Sequence, residues 1–306
     1  LRYRLSHIVA WRNIYNSLEP RVTYVAISLS PAERSKPSPL QIVPQARFVA
    51  YMPDLKRQTV EGVGRVYFDD DGNYYPSVTT VLNEKETPEA LIRWKEQNDG
   101  SGDSEHWRDI MNFKANRGTL IHYHCLNEFA DGDMWSPDEA SSEEELKMDL
   151  DQWDQYKEDL YWAREQAWPL LKRTQGINED SVIDVEMFTY NQTVGYAGQF
   201  DMLYQDPATE ETVLADIKTS KGAYPKHRMQ LLAYKNAVDV SIDRVEVLRM
   251  NPDYQEWEVH SSDNWQTPFV EYWDEFLELR ESLNDELIEE VREQAGDRVE
   301  EEHGGG

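Results

Sequence analysis

VEMFTYNQTVGYAGQFDMLYQDPATEETVLADIKTSKGAYPKHRMQLLAYKNAV, residues 185–238, carries four signals in succession: an isolated acid at Glu186, a Gly-x-x-Gly-x-x-Asp ending at Asp201, an Asp-x-Lys at Asp216 and Lys218, and a Gln-x-x-x-Tyr at Gln230 and Tyr234. Its periodicity predicts SVIDVEMFTY, GYAGQFDMLY and ETVLADIKTS as strands, with QDPATEE as a polar turn, and PKHRMQLLAYKNAVDV as a helix. Successive strand side chains point to opposite faces, so Leu214, Asp216 and Lys218 share one face and Val213, Ala215 and Ile217 the other.

An aspartate among Leu, Ala and Ile is costly to bury unless its charge is paired, and either Lys218 or a metal ion would pair Asp216. A hairpin through the polar turn brings Asp201 beside Asp216, within reach of one cation. Glu186, one strand earlier, fits two readings: a third carboxylate of that site, or an ordinary strand glutamate at the sheet edge. Gly195 and Gly198 would let another backbone or a phosphate come close. Gln230 and Tyr234 lie one helical turn apart and share a face. Carboxylates on a hard cation, with a lysine two residues beyond the last, are the minimum apparatus for metal-assisted phosphodiester cleavage.

Upstream, GVGRVYFDDDGNYYPSV reads as two short strands around an Asp-Gly-Asn turn. In TPEALIRWKEQN, Thr87 is the expected N-cap and Pro88 the first helical residue. Residues 103–130 read as helix with an interruption at Gly118-Thr119, and Trp107, Ile110, Met111 and Phe113 as its core-facing positions. A further acidic helix is expected over 142–174, its Trp153, Tyr156, Leu160 and Trp162 serving packing rather than base stacking. Downstream, strands are expected near 243–250 and 255–261, then a long amphipathic helix over 266–295 and a disordered tail over 296–306.

Net charge is −28, from 59 acidic and 31 basic residues, which conflicts with the basic surface expected of a nucleic-acid-binding protein. A high-salt cytoplasm removes the conflict, because the screening length falls to about 3 Å near 1 M salt. The preference for arginine over lysine, 19 to 12, fits such a halophilic source; an acidic surface kept for solubility is the plainer reading. Residues 1–51 carry a net +5 and residues 52–306 a net −33. With the Pro- and Ser-rich SPAERSKPSPLQIVP inside it, the first segment reads as a disordered or non-native leader before a start at Met52, or alternatively as a basic DNA-binding arm. No run of about 18 apolar residues and no signal-peptide core are present, so an intracellular, non-membrane protein is expected. The single cysteine, Cys125, excludes a disulfide framework or a four-cysteine metal site within this chain.

The order Glu, Gly-x-x-Gly-x-x-Asp, Asp-x-Lys, Gln-x-x-x-Tyr resembles the RecB-type branch of the PD-(D/E)XK nucleases, which includes the CRISPR-associated RecB-like exonucleases and the mitochondrial genome maintenance exonuclease. Two more segments extend the likeness to about 75–238: Arg117-Gly118-Thr119-Leu120-Ile121-His122 is similar to the family's Gly-Thr-x-x-His helix, and YPSVTTVL to a Ser-Val-Thr segment of its phage members. The resemblance implies an α/β fold with a central mixed sheet flanked by helices. Over 52–295 it would comprise a helical N-terminal part (75–176), a catalytic sheet core (180–261) and a C-terminal helix.

It further implies that Asp201, Asp216, His122 and the Ile217 carbonyl ligate Mg²⁺ or Mn²⁺, with Glu186 as a further catalytic acid. Lys218 would orient or help deprotonate the attacking water, and Gln230, Tyr234 and Thr119 would serve substrate binding. For His122 a packed histidine remains the alternative. One cysteine cannot anchor the iron–sulfur cluster of several relatives, so a cluster-free member is expected. No Gly-x-x-x-x-Gly-Lys-[Ser/Thr] is present, so any helicase or other replication partner would be a separate protein. The implied activity is metal-dependent DNA exonuclease action on single strands or ends, in a halophilic virus or mobile element acting in its host's cytoplasm. A structure-specific endonuclease, or a non-catalytic binding module, are the alternatives.

Overall fold

The computed structural model describes residues 55–60, 64–69, 72–102, 106–130 and 156–283. The expected leader over 1–51 and its Met52 start, the helix before Tyr156 with Trp153, the helical stretch beyond 283 and the tail over 296–306 lie outside them.

Two sheets are present among these residues. The first is antiparallel, β1 (Lys56–Val60), β2 (Gly64–Phe68) and β3 (Tyr74–Pro76) in that order. The second is mixed and has five strands in sequence order: β4 (Val182–Asn191), β5 (Tyr196–Gln205), β6 (Thr212–Lys218), β7 (Arg244–Asn251) and β8 (Glu256–Ser261). Every neighbouring pair in it is antiparallel except β6 and β7, which run parallel and are joined across helix α6 (Pro225–Lys235), the crossover that parallel strands require. An α/β fold with a mixed sheet flanked by helices is thus as expected; β1 was missed, since KRQTV carries little apolar pattern.

Helices cover both faces of the large sheet. On one side, α3 (Trp107–Leu126) and the run α4 (Lys157–Trp162) to α5 (Trp168–Gln175) bury Leu120, Ile121, Cys125, Trp162, Trp168 and Leu171 against Met202, Tyr204, Val213, Ala215 and Ile217. On the other, α1 (Val78–Asn83), α6 and α7 (Phe269–Ser282) bury Val78, Val81, Leu82, Met229, Leu232 and Phe276 against Tyr196, Phe200, Leu203, Leu214 and Val247. The expected two-faced β6 is therefore observed, with Leu214 in one core and Val213, Ala215 and Ile217 in the other. Tyr67 and Tyr75 of the small sheet pack on Ala197, Phe188 and Tyr190 at the β4–β5 edge.

Four local expectations need correction. Helix α3 continues through Gly118-Thr119 for its full 20 residues, because a single helical glycine costs only about 1 kcal/mol and packing on both sides outweighs it. Of its N-terminal apolar residues Phe113 packs on the core, against Tyr156, but Met111 is 42% exposed and the fully buried stripe comes later, at Leu120, Ile121, Cys125 and Leu126. Helix α2 (Glu89–Gln97) is preceded by Pro88 as its cap residue, so Thr87 is not the cap; the missing proline N–H lies just outside the first turn. At Gly195 and Gly198 the group that comes close is a side chain rather than another backbone. Gly195 takes φ +79° at the β4–β5 turn, where Arg280 donates to its carbonyl (2.8 Å), and Gly198 makes room for the Tyr234 ring, which a Cβ would meet at 2.4 Å. The packing role expected of Tyr156, Leu160 and Trp162 holds, all three being buried. No helix among the described residues is long and apolar enough to cross a membrane.

Candidate metal centre

The middle of the large sheet breaks its own alternation. On β4, Val185 packs into the α3 side and Met187 into the α6 side, although residues two apart on a regular strand share a face. On β5, Met202 and Phe200 divide in the same way, and the residues between them are Asp201 and, opposite, Glu186. Glu186 takes φ +52°, a left-handed conformation rare for a residue with a side chain and one that accumulates at functional sites. Two carboxylates thus share the point where both strands switch faces.

His122 reaches the same point from α3. Its Nδ1 lies 3.3 Å from Asp201 Oδ2, and ligand-capable atoms of His122, Glu186 and Asp201 all lie within 4.8 Å of one another. Gly118, one turn earlier on α3, explains the approach: a Cβ there would stand 3.1 Å from Thr219 Oγ1, just past the end of β6. The Ile217 peptide sits between the two ligand candidates, its N–H donating to Asp201 Oδ2 (2.6 Å) and its backbone hydrogen bonding to His122.

Asp216 follows on the adjoining strand. The last β5–β6 ladder pair is Met202 opposite Ala215, so Asp201 and Asp216 are the next residues along their strands. Asp216 is 1% exposed, and its Oδ2 makes a close ion pair with Lys218 Nζ at 2.6 Å.

Electrostatics follow from this crowding. Burial, only partly offset by Lys218, pushes both Asp201 and Asp216 up to about 6. Glu186 is pushed to about 8 by burial and by Asp201, against the pull of Arg57. Burial and the Lys218 charge hold His122 down at about 4, so its ring is neutral at pH 7 and has a lone pair to offer. Burial alone would lower Lys218, but Asp216 and Asp201 outweigh it and hold the ammonium above its ordinary value. A divalent cation bound at such a cluster would displace those protons.

A layer of supporting contacts positions these groups. Gln199 donates to the Glu186 carbonyl (2.9 Å) and accepts from Arg57 of β1 (3.2 Å). Arg57 and Arg65 both lie near enough to hold the Glu186 pKa down, a role invisible in sequence because it depends on the small sheet docking at the β4–β5 edge. Arg117, in the Arg-Gly-Thr segment, is buried and pairs with Asp159 and Asp253, both at 2.7 Å, tying α3 to α4 and to the turn after β7.

The remaining predicted site residues divide. Gln230 and Tyr234 are buried and bond to each other, Gln230 Nε2 donating to Tyr234 Oη at 2.9 Å. Burial, with Asp216 nearby, raises the Tyr234 hydroxyl well above its ordinary value. The Thr119 hydroxyl donates to Ala115 O of its own helix (3.2 Å).

No family model matches the chain, and no curated protein matches it. Among solved structures, one match is the crystal structure of SSO0001, 15% identical, covering 57% of this chain and 83% of that one, with a TM-score of 0.27, too low to carry an argument.

Proposed function

We propose that this protein is a divalent-metal-dependent DNA exonuclease of the PD-(D/E)XK type, acting on single strands or ends. The observation that carries this reading is the meeting of His122, Glu186 and Asp201 within 4.8 Å, beside a buried Asp216–Lys218 pair on the next strand. An oxygen-rich set with one imidazole suits Mg²⁺ or Mn²⁺ better than a soft metal. The mixed sheet flanked by helices is what the PD-(D/E)XK resemblance calls for.

Asp201, Glu186 and His122 would hold the cation, with Asp216 and the Ile217 carbonyl adjoining. When bound, it supplies Lewis-acid polarisation of the scissile phosphate and a lowered pKa for coordinated water. Glu186, held near 8, would give up its proton on loading. Lys218, held protonated by Asp216 and Asp201, is a poor general base and a good donor: its ammonium orients the attacking water and offsets charge that builds on the phosphate oxygens. Gln230 and Tyr234 brace the face of β6 that carries Leu214 and Asp216, and Gly198 gives the tyrosine ring its place.

The test is release of nucleotides from end-labelled DNA with Mn²⁺, comparing the parent with Asp216→Ala. Loss of release in the variant, with covalently closed circles left intact by the parent, is expected. Equal release from both proteins overturns the assignment.

A further inference from the structure

Charge in this acidic chain is interrupted beside the carboxylates. From Ile217 to Val238 there is no acidic residue, while Lys218, Lys221, Lys226, Arg228 and Lys235 fall within that stretch. It begins at the end of β6, and its first loop is held firmly. Arg249, 2% exposed, donates to the Lys221 carbonyl (3.1 Å), and Ser220 Oγ donates to Gly222 O (2.8 Å).

Two aromatic rings stand out at the same end of the sheet. Tyr224 is 48% exposed and Tyr254 59% exposed, in a fold that buries most of its large rings. Tyr254 sits in the turn after β7, and Lys218 is paired in register with Arg249, so the carboxyl ends of the parallel strands β6 and β7 lie together. Lys221 Nζ lies 5.7 Å from the Tyr254 ring centre, joining loop and turn. Asp253, next to Tyr254, bonds Lys114 and Arg117 of α3, both at 2.7 Å, which anchors this turn to the helix that carries His122. Ligands of α/β sheets commonly sit beyond the carboxyl ends of parallel strands.

Exposed rings interleaved with lysines on rigid backbone match single-stranded nucleic acid, whose unstacked bases offer π-faces and whose phosphates need cations. Duplex bases are already stacked on each other and cannot lie on a tyrosine. We propose that Lys221, Tyr224 and Tyr254 form a platform that holds single-stranded nucleic acid and leads it to the carboxylates; this rests on the nuclease reading of the adjoining site.

The experiment measures binding of a fluorescein-labelled oligothymidine by anisotropy in EDTA, so that no cleavage occurs, alongside a separate Mn²⁺-dependent cleavage assay. Tyr224→Ala and Tyr254→Ala are each expected to raise Kd about tenfold, and the Phe variants to hold the parent's affinity within about twofold, since stacking uses the ring. Lys221→Ala should flatten the slope of log K against log salt by about 0.7. Tyr161→Ala, altering a tyrosine 63% exposed on α4, should bind like the parent. Alanine variants that bind like the parent, Phe variants as weak as the alanine ones, no binding by the parent, or blunt duplex bound as tightly as the single strand would each overturn the platform. Cleavage that fails while the binding pattern holds would sink the nuclease reading and leave the platform standing.

Discussion

Without a bound cation, stability should depend on pH in a specific direction. Asp201 and Asp216 sit near pKa 6 and Glu186 near 8 in the folded protein, whereas unfolded carboxylates titrate near 4. A raised folded pKa means that the native state binds protons more tightly than the unfolded one. The contribution is fully present below about pH 4 and is lost as pH rises through about 6 for the aspartates and about 8 for Glu186. One two-unit shift corresponds to about 3 kcal/mol. Because the protons leave the cluster as a set, we take that single-carboxylate figure as the lower bound.

For a unit of this size, 1 kcal/mol moves the midpoint by about 2–4 °C, so the metal-free protein should lose about 6–12 °C in Tm between pH 4 and 8.5. Net charge of −28 adds a general decline with pH through self-repulsion. The Asp201→Asn/Asp216→Asn double variant retains that decline but lacks the two buried acids, so the difference between the Tm–pH curves isolates the site. Mn²⁺ at about 100 times its Kd should restore about 2.7 kcal/mol at pH 8.5 and much less at pH 5, where protons compete. Scanning calorimetry at fixed ionic strength, with EDTA and then with Mn²⁺, is the assay. Parallel curves for parent and double variant, or an equal Mn²⁺ shift at both pH values, would refute the reasoning.

Lys218→Ala should lower cleavage by about 10²–10⁴-fold while Mn²⁺ binding at pH 8.5 persists by calorimetric titration, because the lysine offsets charge without ligating. Gly198→Ala should destabilise by about 1–3 kcal/mol in urea, since its methyl group would enter the Tyr234 ring at 2.4 Å and neither the strand nor the buried ring can yield freely. Arg117→Met should cost about 2 kcal/mol of stability, below the usual loss for a broken buried pair, as Asp159 and Asp253 keep 27% and 32% side-chain exposure and can turn to water; a midpoint shift in urea reads it.

Much of the sheet around the candidate site was legible because it is written in strand periodicity. Leu214, Asp216 and Lys218 fell on the predicted face, and the β5–β6 hairpin put Asp201 beside Asp216. Periodicity left Glu186 open between a site carboxylate and an edge-strand glutamate, and left-handed backbone breaks the period at that residue. That break is what turns an edge-strand candidate into a neighbour of His122 and Asp201. The glycines misled for a related reason: they signal close approach without saying by what, and the approaching group at Gly198 is a tyrosine of the same motif. Arg57 lay beyond reach because its contact with Gln199 spans two sheets with no local signature.

Cys125 gives the fold a clock. The thiol is fully buried three residues beyond His122 on the same helix, and burial raises its pKa well above the ordinary value, so an alkylating reagent can reach it only while α3 is lifted from the sheet. Since there is one cysteine in the chain, the labelling rate counts those liftings directly, without a competing site. A cation that bridges α3 to β5 through His122 and Asp201 should make them rarer, and the labelling half-time would then report, in seconds or hours, how long the helix stays down.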